Sequence, residues 1–469
     1  MRVFPRIDAM RSLIVMFGLV AVMVVPRSAS AQSADQVSRA MPRAVRFFRE
    51  RASTQGGYVY QWSADLAKRE GEGKVGEATA WIQPPGTPAV GMALLNAHRA
   101  CGDPVLLDAA KESAGALERG QLESGGWDNL IEYDPQERKK FAYRSDSVGE
   151  EDVSRERRRN VTTFDDDKSQ SAVKFLMQID QELQFQDPVI HEAVLYALDC
   201  FIKAQYSNGA WPQRYSEFPP RSEDPPQQAS IDPDWPRAFP GDNYSGFYTL
   251  NDNTMSDLIV TMLDAWDVFG DPRYLDAATK GGEFFLRAQL PEPQPGWAQQ
   301  YDKQMHPAWA RKFEPPAVSG GESQGVMNTL ILLYRRTAGS VENADRFLEP
   351  LPRALAYFRR SLLNDGRLAR FYELESNRAL FFTKQYELTY SPDDVPTHYA
   401  FMVKSKLDQI EKALNQVRDL SVDQLWDPKP VRAARRTDSL NQVVLEIMNG
   451  LDSRGAWVEP GRLHYHGDD

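Results

Sequence analysis

Two short acidic runs, and a set of arginines placed beside aromatic rings, are the residues of this chain whose types and spacing can do chemistry. Thr163-Phe164-Asp165-Asp166-Asp167 and Thr249-Leu250-Asn251-Asp252-Asn253 share one pattern: a threonine, an apolar residue, then acids and amides. Asp and Asn commonly open helices, where their oxygens cap free N–H groups, and for either run alone that is the better explanation. Two matching runs change the balance. Their carboxylates can converge and offer oxygen ligands to a hard cation such as Ca2+. The spacing is not that of an EF-hand, because neither the turn glycine nor the closing glutamate is present. Asp165, Asp166 and Asp252 are therefore the candidate metal ligands.

The second constellation is cationic and aromatic. It comprises Trp211-Pro212-Gln213-Arg214-Tyr215, the stretch Pro307 to Pro316 with Trp309 and Arg311, and Ala369-Arg370-Phe371-Tyr372-Glu373-Leu374 with Asn377-Arg378. Exposed tryptophan and tyrosine faces suit sugar rings, and planar guanidinium forks grip carboxylates bidentately. Arg214, Arg311, Arg370, Trp211, Tyr215 and Trp309 are candidate contacts to an anionic glycan. The plainer alternative, surface ion pairs and core aromatics, fits Trp127 and Trp297 well. Arg155, Arg157, Arg158 and Arg159 read as a solvated loop. Six histidines are scattered without metal-ligand spacing, and His306 alone lies near the cationic motifs. No Ser-His-Asp order, phosphate loop or nucleotide fingerprint stands out, so a nucleophile-based mechanism is unsupported.

A repeat must position these residues. Asp-Pro falls at 103–104, 187–188 and 271–272, each 84 residues after the last, and Gln121, Gln205 and Gln289 follow in the same register. Each glutamine leads into a small-residue turn and a tryptophan: Gly126-Trp127, Ala210-Trp211, Gly296-Trp297. A fixed period marks a repeat architecture. Apolar runs with helical spacing flank every Asp-Pro, for example Val173, Phe175, Leu176 and Ile179 before the second. The unit is thus helix, tight turn, helix, long loop. Such hairpins can stack and close, which predicts an all-α fold, an incomplete (α/α) toroid over 32–420 with the long loops gathered at one rim, and an open solenoid as the alternative. From 421 to 469 the chain is less periodic, with Arg432, Arg435 and Arg436 and one short helix.

The first residues carry arginines, an apolar run from Leu13 to Val25, and Ala29-Ser30-Ala31, the pattern of a secretory signal over 1–31 cleaved after Ala31. Its removal takes four arginines and one aspartate and moves the net charge from −11 to −14. A secreted or periplasmic acidic protein is expected, with no membrane attachment after cleavage and no nucleic-acid partner, since no basic face is present. A monomer is expected. Cys101 and Cys200 cannot form a disulfide framework and read as buried small hydrophobes.

These motifs as a set resemble the family ten pectate lyases, whose catalytic domains are (α/α) toroids. The matching stretches are Asn208 to Tyr215, Leu250 to Met255, Pro307 to Pro316 and Arg370 to Arg378, in the family's order. The resemblance implies that Asp165 and Asp252 hold a catalytic calcium and the substrate carboxylate, and that Arg311 and Arg370 contact substrate. The family's Brønsted base is an arginine a short step past the Asn-Arg motif. Counting from Arg378, that position is Lys384, a lysine where the family has arginine. Lysine has the lower reference pKa, ~10.4 against >12, so Lys384 can give up its proton more readily when crowded by Arg370, Arg378 and calcium. The expected activity is calcium-assisted β-elimination of polygalacturonate (pectate) or a related uronate polymer. The alternatives are an inverting toroid glycoside hydrolase using two of Asp165, Asp166 and Asp252, and a non-catalytic glycan-binding relative. His306 and Tyr372 are the other candidate bases.

Overall fold

The computed structural model describes residues 31–146, 157–426 and 438–466. The expected signal up to residue 30, together with Arg155, Arg432, Arg435 and Arg436, lies outside the described residues. Each Asp-Pro pair opens a helix. Asp103 accepts from the Val105 N–H at 2.9 Å, Asp187 from Val189 and Ile190 at 3.2 Å, and Asp271 from Arg273 at 2.9 Å. Proline takes the first helical position, where a missing N–H costs nothing. The turns before the first and third pairs close on Gly102 and Gly270, whose φ of 72° and 68° is the left-handed cap that glycine adopts without strain.

The helices follow in pairs. After α1 (Ala31–Phe47) come α2 (Thr87–Cys101) with α3 (Pro104–Arg119), α4 (Lys168–Glu182) with α5 (Pro188–Lys203), α6 (Thr254–Phe269) with α7 (Pro272–Ala288), and α8 (Glu322–Thr337) with α9 (Leu351–Arg360). Then come α10 (Leu407–Arg418) and α11 (Asp438–Asn449); two further helices, Pro135–Arg138 and Val422–Leu425, are single turns. Among the described residues no helix is long and apolar enough to cross a membrane.

The repeat's signature residues have repeated jobs. Gln121 Nε2 donates to the carbonyls of Gly125 and Ala193, Gln205 to Gly209 and Ala277, and Gln289 to Pro295 and Pro350, all at 2.9–3.2 Å. Each amide joins its own loop to the next hairpin. The indole N–H groups of Trp127, Trp211 and Trp297 donate to Leu117, Phe201 and Phe285 carbonyls at 2.8, 2.8 and 2.7 Å, and all three rings are fully buried. A buried donor without such a partner would cost about 1–3 kcal/mol. Trp211 is therefore a core residue, not the sugar platform expected from its arginine neighbour.

The chain forms two compact units. One comprises residues up to Thr163, Lys168–Ala197 and the C-terminal residues from 429. In it α11 packs on α1, and Trp457 meets Phe48 with ring centroids 6.3 Å apart. Of the segment expected as an extension from 421, the part from 429 belongs to this unit and the part before it to the other. Cys101, the last residue of α2, is exposed, contrary to expectation; Cys200 is buried.

The other unit comprises Phe164–Asp167 and Leu198–Pro428. It carries an antiparallel sheet of β1 (Val318–Ser319), β2 (Phe371–Tyr372), β3 (Ala379–Phe382) and β4 (Leu388–Thr389), in the order β4-β3-β2-β1. Phe371 pairs with both Ser319 and Leu380. Trp309, Phe313, Phe371, Phe381, Phe382 and Phe401 form the core beneath it.

Candidate active site

The lead-ins to α4 and α6 adopt the same unusual backbone. Each is a 3-10 turn, Asp165–Asp167 and Asn251–Asn253, with its last two residues left-handed: φ is 51° and 56° at Asp166 and Asp167, and 48° and 59° at Asp252 and Asn253. Asp and Asn tolerate this conformation better than other non-glycine residues, yet the strain is typically ~1–3 kcal/mol per residue and such residues gather at functional sites. In this register Asp252 is the counterpart of Asp166, and Asn251 the counterpart of Asp165. The turns bring ligand oxygens of Asp165, Asp166 and Asp252 within 4.8 Å of one another.

Asp165 is held on both oxygens, by Gln213 Nε2 and Arg214 Nη2 at 3.0 Å each. Asn251 Nδ2 donates to Asp252 at 2.8 Å. Asp252 reaches solvent, yet the surrounding protein still desolvates its carboxyl. That burial first, then the charges of Asp166, Asp165 and Glu322, push its pKa up to about 7 against the pull of Arg311. An all-oxygen set short of positive charge is what a hard cation neutralises. Opposite oxygens around calcium, at about 2.3–2.6 Å each, stand about 4.6–5.2 Å apart, so the three carboxylates fit that ion.

Two guanidiniums face these acids, each braced by a carboxylate. Arg311 is gripped by Glu314 through Nε at 2.8 Å and Nη2 at 2.5 Å, and Glu314 is fully buried. Burial alone would raise the Glu314 carboxyl, but Arg311 holds it below its ordinary value. Arg370 donates to the Ala400 carbonyl at 2.8 Å and to Glu322 at 3.1 Å. Both guanidiniums lie against the ring of Tyr399, 5.6 and 4.8 Å from its centroid, and the Tyr399 hydroxyl donates to Glu314 at 3.0 Å.

The third lead-in, ahead of α8, differs. Gly320-Gly321 stands where the other two carry acids and amides. A Cβ on Gly320 would meet the Ala369 carbonyl oxygen at 2.2 Å, and Gly320 N–H donates to the Arg370 carbonyl at 2.9 Å. A Cβ on Gly321 would lie 3.8 Å from Arg370 Nη1. Bare backbone here lets the Arg370 segment approach.

Of the residues singled out from the sequence, the structure brings Asp165, Asp166, Asp252, Arg214, Arg311 and Arg370 together, and beside them Glu314, Glu322 and Tyr399, which the sequence reading did not single out. Arg378 and Lys384 make their contacts elsewhere. Arg378 lies 3.3 Å over the Tyr390 ring, which in turn donates to Glu373. Lys384 sits in the turn after β3, largely exposed, its ammonium 3.0 Å from Asp394. Tyr215 and Trp309 are corrected along with Trp211. Tyr215 is buried against Phe164 and Phe218, while Trp309 is buried with its N–H on the Pro236 carbonyl at 2.7 Å. Tyr372 is buried too, its hydroxyl on the Ser361 carbonyl at 2.6 Å, which removes it as a base. His306 stands 3.8 Å from Asp302. Arg159, rather than being only solvated, pairs with buried Asp128.

No curated protein matches the chain by sequence. Among solved structures it is similar to a family 10 polysaccharide lyase from Cellvibrio cellulosa in complex with trigalacturonic acid, at 21% identity and a TM-score of 0.46, covering 65% of this chain and 91% of that one. It is also similar to a sugar epimerase from a ruminal bacterium, at 12% identity and a TM-score of 0.45, covering 88% of each chain. The family profile described as pectic acid lyase matches residues 121–399, more than half of the sequence and the whole of the assembled site. The fold class is all-α, built of paired helices, and the chain belongs to the pectic acid lyase family.

Proposed function

We propose that this lyase cleaves polygalacturonate, or a closely related uronate polymer, by calcium-assisted β-elimination, with Asp165, Asp166 and Asp252 as the calcium ligands. The observation that carries this is the meeting of three carboxylates with two braced guanidiniums in one unit. The C5 proton of a uronate lies α to a carboxylate and is only weakly acidic. When bound, calcium supplies positive charge beside that carboxylate. Arg311 and Arg370, fixed by Glu314 and Glu322, are placed to hold the same group, so that negative charge developing on it is met by donors that need no rearrangement. Arg214, tied to Asp165, borders the same subsite.

The base takes the C5 proton, the C4–O bond breaks as the C4–C5 double bond forms, and the departing sugar oxygen takes up a proton. We assign the base to Lys384. Its ammonium would have to leave Asp394 and release its proton before it could take the C5 proton. Export through the N-terminal signal and a monomeric state belong to the same reading. The N-terminus and mass of the mature protein check both.

The test is the ultraviolet absorbance of the 4,5-unsaturated uronate from polygalacturonate, with calcium and with chelator. Absorbing product that disappears with chelator is expected. A saturated new end would point to hydrolysis, and binding without product to a non-catalytic relative. Lys384→Ala should lower the rate by about 10²–10⁴-fold. A rate within twofold of the parent removes Lys384 as the base and leaves the elimination itself standing.

A further inference from the structure

Arg311 and Arg370 come from separate segments and have separate braces, Glu314 and Glu322. A third segment touches both arms. Tyr399 places its ring centroid 5.6 Å from the Arg311 guanidinium and 4.8 Å from that of Arg370. The ring is held by near neighbours of the two arginines in sequence: Phe313 at 4.8 Å between centroids, and Phe371, nearly parallel to it, at 6.3 Å. The hydroxyl donates to Glu314 at 3.0 Å, on the same oxygen that accepts from Arg311 Nη2. The two residues after Tyr399 seat Arg370, whose Nε donates to the Ala400 carbonyl and whose backbone N–H donates to the Phe401 carbonyl, both at 2.8 Å. Tyr399 is thus tied to the brace of one arginine and to the main chain that fixes the other.

Its chemistry suits holding rather than reacting. Burial, and after it the Glu314 charge, pushes the phenol far above its ordinary value, so it stays a neutral donor to Glu314. Arg311 spends Nε and Nη2 on Glu314, while Arg370 spends Nε on Ala400 and Nη1 on Glu322. Arg311 Nη1 and Arg370 Nη2 therefore stay clear of the braces. A single carboxylate can accept from both only if the two nitrogens stand at a spacing that its oxygens match. Contacts of a cation with a ring face and hydrogen bonds to a charged group both depend on geometry, so a residue making them toward both arms controls that spacing.

We propose that Tyr399 is a positioning residue: it sets the separation of the Arg311 and Arg370 guanidiniums so that both meet one uronate carboxylate. This rests on the elimination reading of the site, but its test needs no reaction. Trigalacturonate is titrated calorimetrically into the full chain in chelator, where calcium contributes nothing. Tyr399→Leu should weaken binding about tenfold, the scale of one hydrogen bond to a charged group. In a chain already carrying Arg311→Lys and Arg370→Lys it should weaken binding less than about twofold, because lysine keeps the charge but has no fork to be spaced. A tyrosine that only supports the fold would cost the same factor in both backgrounds. Should Tyr399→Leu not fold, Tyr399→Phe keeps the ring and loses the hydroxyl; it should weaken binding about threefold in the parent and leave the Arg311→Lys variant unchanged. Equal losses in both backgrounds, an affinity that neither Tyr399 variant alters, or no binding by the parent in chelator would each overturn the role. The expected pattern of affinities without any ultraviolet-absorbing product in calcium would instead overturn the lyase reading alone.

Discussion

The lead-ins to α4 and α6 and the lead-in to α8 begin alike and end in opposite chemistry. In all three, a residue three to five positions before the helix donates its N–H to the carbonyl of the repeat's tryptophan: Thr163 to Trp127, Thr249 to Trp211, Ser319 to Trp297. The first two then twist through left-handed acids and amides and present carboxylates. The third discards side chains at Gly320 and Gly321 and admits Arg370. One scaffold position thus supplies anions twice and makes room for a cation once. A site needing both signs at close range can be built from a single repeated unit, provided that one copy gives up its own functional groups.

The most drastic way to break this contrast is to remove the anions. Asp165→Asn with Asp252→Asn keeps the turn-forming side chains but should reduce elimination about 10³-fold and abolish the response to calcium, measured by product absorbance across a calcium titration. Undiminished calcium dependence would show that the ion sits elsewhere. A gentler break fills the third lead-in. Gly320→Ala drives a methyl into the Ala369 carbonyl and should cost about 1–3 kcal/mol in thermal unfolding, with activity falling in step as the Arg370 segment is displaced. Unchanged stability would mean the backbone yields there.

Gly321→Asp sharpens the contrast instead, because it puts a carboxylate into the lead-in that lacks one. The backbone at Gly321 is right-handed, so the fold should survive, while the new carboxylate takes up Arg370 and activity drops about tenfold. Activity equal to the parent's would argue that Arg370 does not hold substrate.

The smallest expected effect is in pH. The Asp252 carboxyl rises from 3.8 to about 7 on folding, so the calcium-free protein should lose stability as pH climbs through that window, since the folded state must give up a proton the unfolded chain has already lost. Calcium competes with that proton. The gain in melting temperature from calcium should therefore grow toward neutral pH. A gain that is flat with pH would separate Asp252 from the ion.

Much of the fold was legible because its determinants are local. The Asp-Pro caps, the glutamine register and the buried tryptophans each repeat within one hairpin and its neighbour. The same repeat could have prevented one error: Trp211 shares its register with Trp127 and Trp297, which read as core, yet its proximity to Arg214 drew it toward substrate. Adjacency in sequence says little about which face of a loop is covered. Trp309 and Tyr215 failed for that reason. Arg311 and Glu314 are three apart, a spacing that could have signalled the pair. Glu322 lies 48 residues from Arg370 and Tyr399 lies 85 from Glu314, so nothing local announced either contact.

The three glutamine bridges have a further consequence. From Asp-Pro to glutamine is 18 residues in every copy, and the amide must then reach a carbonyl in the neighbouring hairpin. An inserted residue in that stretch would rotate the amide away and strand it in the core, so the outer half of each unit works as a ruler that tolerates no change of length. The stretch from tryptophan to the next lead-in has no such gauge: it runs 36, 38 and 22 residues in the three copies. Grafts and trims intended to alter what the enzyme accepts belong there, where lengthening the chain leaves the metre of the helices untouched.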